Sequence, residues 1–146
     1  MSCVSWAYEL REGGVPLASL DIGWFGEHGT LLTGGRAWEL GREGWASGEF
    51  FLKGDGRRSA TAAKPSAFLR SFRVDLNGDV YTWEADSAFT RSFVLREGSR
   101  VVGSMRPEHP FTRRTTIDLP TGLSLEHRAF LVWLALVLWR RQRHAS

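Results

Sequence analysis

The chain has 146 residues, with 19 Lys and Arg against 16 Asp and Glu and a net charge of +3. This length is typical of one domain with a substantial core, and we predict a single domain over residues 1–146. Cys3 is the only cysteine, which excludes an internal disulfide and a CxxC metal or redox site, and the sequence assigns Cys3 no role.

Charge is distributed unevenly along the chain. Residues 1–56 contain four Arg and Lys against eight Asp and Glu, whereas residues 57–146 contain fifteen against eight. The basic second part would favour an anionic partner. The first residues lack the basic and apolar regions of a signal peptide, which predicts a cytoplasmic protein.

Short apolar runs broken by Gly, Asp and Asn extend from Trp6 to Leu119 and predict an all-β body. Turn-forming sequences separate these runs, Asn77-Gly78 most clearly, and no helical period of useful length occurs before residue 124. The predicted strands lie at 4–10, 15–22, 29–33, 36–42, 45–53, 57–63, 68–76, 79–85, 88–97, 100–106 and 111–119.

An internal repeat supports this interpretation. A shift of 43 residues aligns Phe50-Phe51-Leu52-Lys53 with Phe93-Val94-Leu95-Arg96, and Val74-Asp75-Leu76 with Ile117-Asp118-Leu119. A fainter first copy begins at Tyr8 and matches the segment that begins at Phe93. The body is therefore predicted to contain about three copies of a four-strand unit.

Alternation within the repeat gives each strand one apolar face and one polar face. Phe72, Val74 and Leu76 share one face of their strand, while Arg73 and Asp75 point the other way. Eleven or twelve antiparallel strands would expose long edges unless they closed into a barrel. A barrel of that size encloses a lumen that must be filled.

The C-terminal segment is the predicted filling. No polar side chain occurs between Ala129 and Trp139, so a helix here is apolar on every side and must be enclosed. The apolar run spans only about 16 Å as a helix, against roughly 30 Å for a bilayer core, which favours enclosure by protein. We predict a helix over about 124–142, capped by Ser124, with Trp133, Leu134 and Val137 buried.

This pattern resembles the tubby C-terminal domain superfamily, which includes the phospholipid scramblases and the LURP-one-related proteins. The resemblance is carried by three β-repeats with Phe-x-Leu-Arg-x-Gly turns and by the terminal Arg-Ala-Phe-Leu-Val-Trp-Leu-Ala-Leu-Val-Leu-Trp-Arg-Arg helix. It implies a twelve-stranded barrel around a hydrophobic helix. The cysteine-rich and acidic calcium-binding segments of scramblases are missing, so calcium-dependent lipid movement is not expected.

Arginines are the side chains with a plausible chemical use. Arg57 and Arg70 recur 43 residues later as Arg100 and Arg113, and a guanidinium near a barrel rim can bind phosphate bidentately. The alternative is that they pair with carboxylates across strands or solvate the rim. The candidate ligand-binding residues are Arg57, Arg58, Arg70, Arg73, Arg113 and Arg114.

Other constellations carry little signal. The four histidines show no metal-binding spacing, and no nucleophile elbow or nucleotide fingerprint occurs, so neither a metal, a cofactor nor an enzyme activity is predicted. Glu126-His127 could form an acid/base pair, but neighbouring helix residues face apart, which favours a capping and solvating role. No aromatic platform accompanies the basic residues, and nucleic acid is not an expected partner.

Two functions stay open on this basis. The first is a non-enzymatic binding module for an anionic phospholipid headgroup or another phosphate ligand at a membrane surface, in a cytoplasmic protein that attaches to the membrane peripherally. The second is a structural module or one that docks a protein partner, without a small-molecule site. The sequence carries no signal for oligomeric state.

Overall fold

A computed structural model of the protein describes residues 6–12, 15–22, 28–44, 48–65, 70–86, 91–107 and 115–145. These residues form eleven strands followed by one helix, α1, at Leu125–Ala145. The strands are β1 Trp6–Glu12, β2 Val15–Ile22, β3 Gly29–Thr33, β4 Arg36–Arg42, β5 Glu49–Gly54, β6 Arg57–Ala63, β7 Ser71–Leu76, β8 Asp79–Ala85, β9 Phe93–Glu97, β10 Arg100–Pro107 and β11 Thr115–Asp118.

All eleven strands belong to one sheet, in which each strand pairs antiparallel with the next along the chain. Every second connection between neighbouring strands is a tight turn. Residues of these turns have positive φ values, which Asn, Asp and Gly tolerate. Asn77 and Gly78 have φ values of 56° and 103°, and Asp55 and Gly56 have 52° and 76°. Such values match the twist of a two-residue hairpin. The predicted Asn77-Gly78 hairpin is thus confirmed as the β7–β8 turn.

The predicted strands coincide with the observed ones, with differences at their ends. β7 begins at Ser71 and β9 at Phe93, later than predicted, so Arg70 and Arg91 precede their strands. The predicted alternation is confirmed in β7, where Phe72, Val74 and Leu76 are at most 2% exposed. Phe68 and Phe111, which the repeat places on the same faces, lie outside the described residues.

Helix α1 is the centre of the core. Each residue from Ala129 to Trp139 is at most 7% exposed, which confirms the predicted burial of Trp133, Leu134 and Val137. Strands β2, β3 and β6 approach the helix most closely. The described residues include no helix that is long and apolar enough to cross a membrane.

The helix begins where the sequence places it. Ser124 Oγ accepts a hydrogen bond from the His127 backbone N–H at 3.4 Å, and Ser124 O accepts from the Arg128 N–H at 3.0 Å. The first contact satisfies a donor that has no partner within the helix, and the second is the first i→i−4 bond of the helix. The helix extends three residues beyond the predicted end, to Ala145.

Aromatic side chains connect the helix to strands on several sides. Trp83 of β8 donates its indole N–H to Leu131 O at 2.8 Å, and Phe50 of β5 packs edge-on against Trp133 with ring centroids 5.8 Å apart. The backbone of α1 therefore contacts the sheet at β8 as well as at β2, β3 and β6. A helix that packs against the sheet in this way has its apolar segment shielded from water, as a segment that is apolar on all sides requires.

Candidate functional site

The pairing register gives the sheet two distinct ends. At one end, which we call the turn end, tight hairpins join β3 to β4, β5 to β6, β7 to β8 and β9 to β10. At the other, the loop end, longer segments such as 43–48, 64–70 and 86–92 join the strands. Helix α1 runs from the turn end, where His127 contacts Ser59, to the loop end, where Arg141 lies over Phe50.

Five half-buried arginines lie at the loop end, and we call them the loop-end arginines. Two follow the apolar part of the helix, one ends β4, and the others precede β7 and β9. Because strands of a meander alternate in direction, β4 ends at the same edge at which β7 and β9 begin. The loop-end arginines are Arg42, Arg70, Arg91, Arg140 and Arg141.

Three of these guanidinium groups lie over aromatic rings. The distance from the guanidinium carbon to the ring centroid is 5.9 Å for Arg70 over Phe93, 5.2 Å for Arg91 over Trp139, and 5.7 Å for Arg141 over Phe50. Contacts of this kind restrict a long side chain while leaving its N–H groups able to bind an anion.

Hydrogen bonds and register place these groups around the last turns of α1. The Trp139 indole N–H donates to Arg91 O at 3.0 Å, and the Arg70 carbonyl accepts from the Ala85 N–H at 2.9 Å. Arg42 is the register partner of Phe50, whose ring lies beneath Arg141. The five side chains therefore belong to one end of the molecule.

Burial and the helix dipole both act on the charges of the loop-end arginines. Burial lowers the pKa of Arg70 from its ordinary value, although a guanidinium stays protonated in proteins. Arg140 and Arg141 lie at the negative end of the helix dipole, which stabilises their charge. The loop-end arginines also make further interactions within the chain, so a ligand would add to or exchange with existing contacts.

Carboxylates near the loop end are mostly engaged with other arginines. Glu43 forms an ion pair with Arg58, and Asp86 lies 3.4 Å from Arg106. Glu49 also has an interaction partner within the chain. Positive charge therefore exceeds negative charge among the described residues of this end.

The structure separates the arginines that the sequence singled out. Arg57 and Arg58 are exposed and begin β6 at the turn end, but the Arg58 side chain extends along the sheet. Its guanidinium carbon lies 5.1 Å from the centroid of the Phe51 ring, and it pairs with Glu43. Arg70 belongs to the loop end, and Arg73 is exposed on the polar face of β7. The remaining two, Arg113 and Arg114, lie outside the described residues.

The predicted set therefore does not form one cluster, and four loop-end arginines were absent from it, namely Arg42, Arg91, Arg140 and Arg141. Arg42, Arg140 and Arg141 lie at a strand end or a helix end, and they lack the repeat spacing on which the prediction depended. The direction of each strand could have identified these arginines. In an antiparallel meander the strand direction alternates, so the order of the strands assigns each strand terminus to one end of the sheet.

A second polar site lies at the turn end, where His127 is 9% exposed. Its Nε2 atom is 2.8 Å from Ser59 Oγ and 3.2 Å from Ser59 O. The predicted solvating role of His127 is wrong, because the ring points into the protein and contacts β6. Burial lowers the pKa of His127, while the charge of Glu126 and the hydrogen bond to Ser59 O act in the opposite direction.

A β-bulge positions Ser59 for this contact. Leu52 pairs with Ala60 and Lys53 with Arg58, so Ser59 is an extra residue without a partner on β5. Bulges redirect the backbone and side chain of the extra residue. The bulge at Ser59 directs both the hydroxyl and the carbonyl oxygen of this residue towards Nε2 of His127.

Similar bulges occur in the other two hairpins that the repeat relates to β5–β6. Leu17 is the extra residue in β2 and Val102 in β10, and Val102 follows Ser59 by the 43 residues of the repeat. Both are aliphatic, and Val102 packs against the core. The Leu17 carbonyl accepts a hydrogen bond from Thr33 Oγ1 at 3.0 Å. The middle bulge alone of the three has a polar extra residue.

The fold and these two sites define the class of molecule as an antiparallel β-sheet protein with a buried C-terminal helix. Comparisons with protein-family models, with curated proteins and with solved structures returned no match. Among the described residues, no group of three or more His, Cys, Asp and Glu side chains is arranged to hold a metal ion.

Proposed function

We propose that the protein is a non-enzymatic binding module for a phosphate-bearing anion, and that the loop-end arginines form its contact surface. The observation that carries this proposal is the convergence of five half-buried arginines on one end of the sheet, three of them over aromatic rings. A guanidinium offers paired N–H donors that match a phosphate, and stacking on a ring holds that fork in place before the ligand arrives.

An anionic phospholipid headgroup at a membrane surface is the first ligand to test. The loop end carries several cations at one end of the sheet, and an anionic surface offers many phosphate groups to such a set. Each Lys or Arg held near such a surface contributes about 1 kcal/mol to binding. A soluble phosphate compound would use the same donors, and the experiment below separates the two sources.

We also infer that the eleven strands close into a tubby-like barrel around α1. Support comes from the complete burial of residues 129–139 and from helix contacts that extend from β2 to β8. A helix that is apolar on all sides gains most when strands surround it completely. Closure would bring β1 and β11, the two edge strands of the sheet, together.

The alternative of a protein-docking module has less support in the described residues. Their exposed large apolar side chains lie on four different strands, of which only β2 and β3 are neighbours in the sheet. These side chains are Val15, Leu32, Val80 and Val101. Single exposed apolar residues are ordinary on soluble proteins.

Vesicle flotation tests the proposal. We expect the protein to float with vesicles that contain phosphatidylserine and not with vesicles of phosphatidylcholine alone. The double substitution Arg140→Ala/Arg141→Ala should weaken this binding by roughly 30-fold, because two contacts of about 1 kcal/mol each are removed. Added salt should weaken binding of the unmodified protein in the same assay.

The matched control is Arg57→Ala/Arg100→Ala, which removes the same charge from the exposed turn end. It should leave vesicle binding nearly unchanged. Titration with inorganic pyrophosphate tests the soluble source, since binding of pyrophosphate without vesicle binding would assign a free phosphate ligand. Absence of binding to both probes, or equal losses in the two double variants, would contradict the proposal.

A further inference from the structure

The contact between His127 and Ser59 is a polar contact between the first turn of α1 and the β6 bulge. The equivalent bulges elsewhere in the sheet have Leu17 and Val102 as their extra residues. Packing alone therefore does not require a polar pair at this position. We propose that His127 and Ser59 form an acid-sensitive latch that fastens the first turn of α1 to the β6 bulge. This inference is independent of the ligand proposed for the loop end.

The geometry makes the latch depend on the charge of one ring. His127 occupies the third position of α1, where the helix dipole presents positive charge and disfavours an imidazolium. The ring is 9% exposed, so protonation would place a charge in a site with little access to water. Ser59 O accepts from the Nε2–H of the ring in either protonation state and by itself favours the charged ring, whereas burial has the larger and opposite effect.

Charged groups near the latch do not compensate fully for burial. Glu126 is adjacent in the helix and favours the protonated ring, whereas burial has the larger effect and lowers the pKa of His127. The other charged side chains of the neighbouring elements are mostly cationic. Those on the β5–β6 hairpin are exposed or half-buried. They are Lys53, Asp55, Arg57 and Arg58 on the β5–β6 hairpin and Arg128 on the helix.

Acid should therefore loosen the helix at its first turn. In the unfolded chain His127 takes up a proton near its ordinary pKa of about 6.5, whereas the folded protein resists that proton to a lower pH. The unfolded state then binds more protons than the folded state. The stabilisation is fully present above about pH 6.5 and is lost as the pH falls through the lowered pKa of the folded protein.

Two measurements on the intact chain test the latch. NMR titration of the His127 ring should give a pKa below the ordinary value of about 6.5. The urea midpoint of the unmodified protein should fall between pH 7.5 and pH 5, and His127→Gln should show a smaller fall. His28→Gln is the matched control, because His28 is exposed, and its urea midpoint should follow that of the unmodified protein.

The repeat itself supplies a second variant. Ser59→Val together with His127→Leu gives the middle bulge the aliphatic character of the other two, and exchanging both partners leaves no polar group unpaired. This double variant should fold and should lose the histidine-dependent part of the acid response. A ring pKa at or above the ordinary value, or an unchanged acid response in either His127 variant, would overturn the latch. If His127→Gln does not fold, the ring titration and the double variant decide.

Discussion

Replacing Trp133 with alanine is expected to lower the free energy of unfolding by about 3–5 kcal/mol, the usual cost of removing a buried indole. Trp133 is completely buried in the middle of α1. It packs against Phe50 of β5 and stacks with Phe130, whose ring centroid lies 6.2 Å away. The lost contacts therefore connect the helix to the sheet as well as to its own preceding turn.

The matched control for this substitution is Leu32→Ala. Leu32 is 53% exposed on β3, so its truncation should change stability by no more than about 0.5 kcal/mol. Urea unfolding of both variants at neutral pH gives the comparison. Similar small losses for Trp133→Ala and Leu32→Ala would mean that the helix does not form the core. Trp133→Phe keeps most of the volume and should fall between the two.

The second large effect is expected for Gly54→Ala, which should destabilise the protein by about 1–3 kcal/mol through overpacking. A β-carbon on Gly54 would lie 2.6 Å from Cε3 and Cζ3 of Trp38. The indole cannot move away easily, because Trp38 is 7% exposed and the Arg36 guanidinium lies 4.3 Å from its ring centroid. Arg36 is itself held by Asp55 at 2.7 Å.

Gly122→Ala provides the control, since a β-carbon there would meet nothing within 4 Å. Its unfolding free energy should stay within about 0.5 kcal/mol of the unmodified protein. The cost at Gly54 should shrink when Trp38→Leu is combined with it, because leucine lacks the two crowded ring atoms. A cost that persists unchanged in that double variant would show that the strain does not come from the indole.

The strands and the helix were predictable because their signals are local. Alternation along β7, the Asn77-Gly78 turn and the apolar run after Arg128 each act over a few residues, and tertiary contacts reinforce them. Strand ends were less predictable. Arg70 and Arg91 occupy positions that the alternation assigns to the apolar face of their strands. Each lies before the first paired residue of its strand.

The two sites depend on the assembled sheet. Repeat spacing favoured Arg57 and Arg58, but the register places them at the end opposite Arg70. The position of His127 in the first turn indicated exposure, because sequence patterns do not reveal that a bulge directs Ser59 towards it. The one available signal was a serine at a repeat position where Val102 is aliphatic.

Native-state hydrogen exchange is the most direct test of the claim that α1 forms the core against which the sheet packs. Backbone amides of residues 129–139 should exchange only through global unfolding, with the same free energy of opening as the amides of β5 and β7. Exchange of the helix through an opening that costs less, while β5 and β7 stay protected, would contradict the claim.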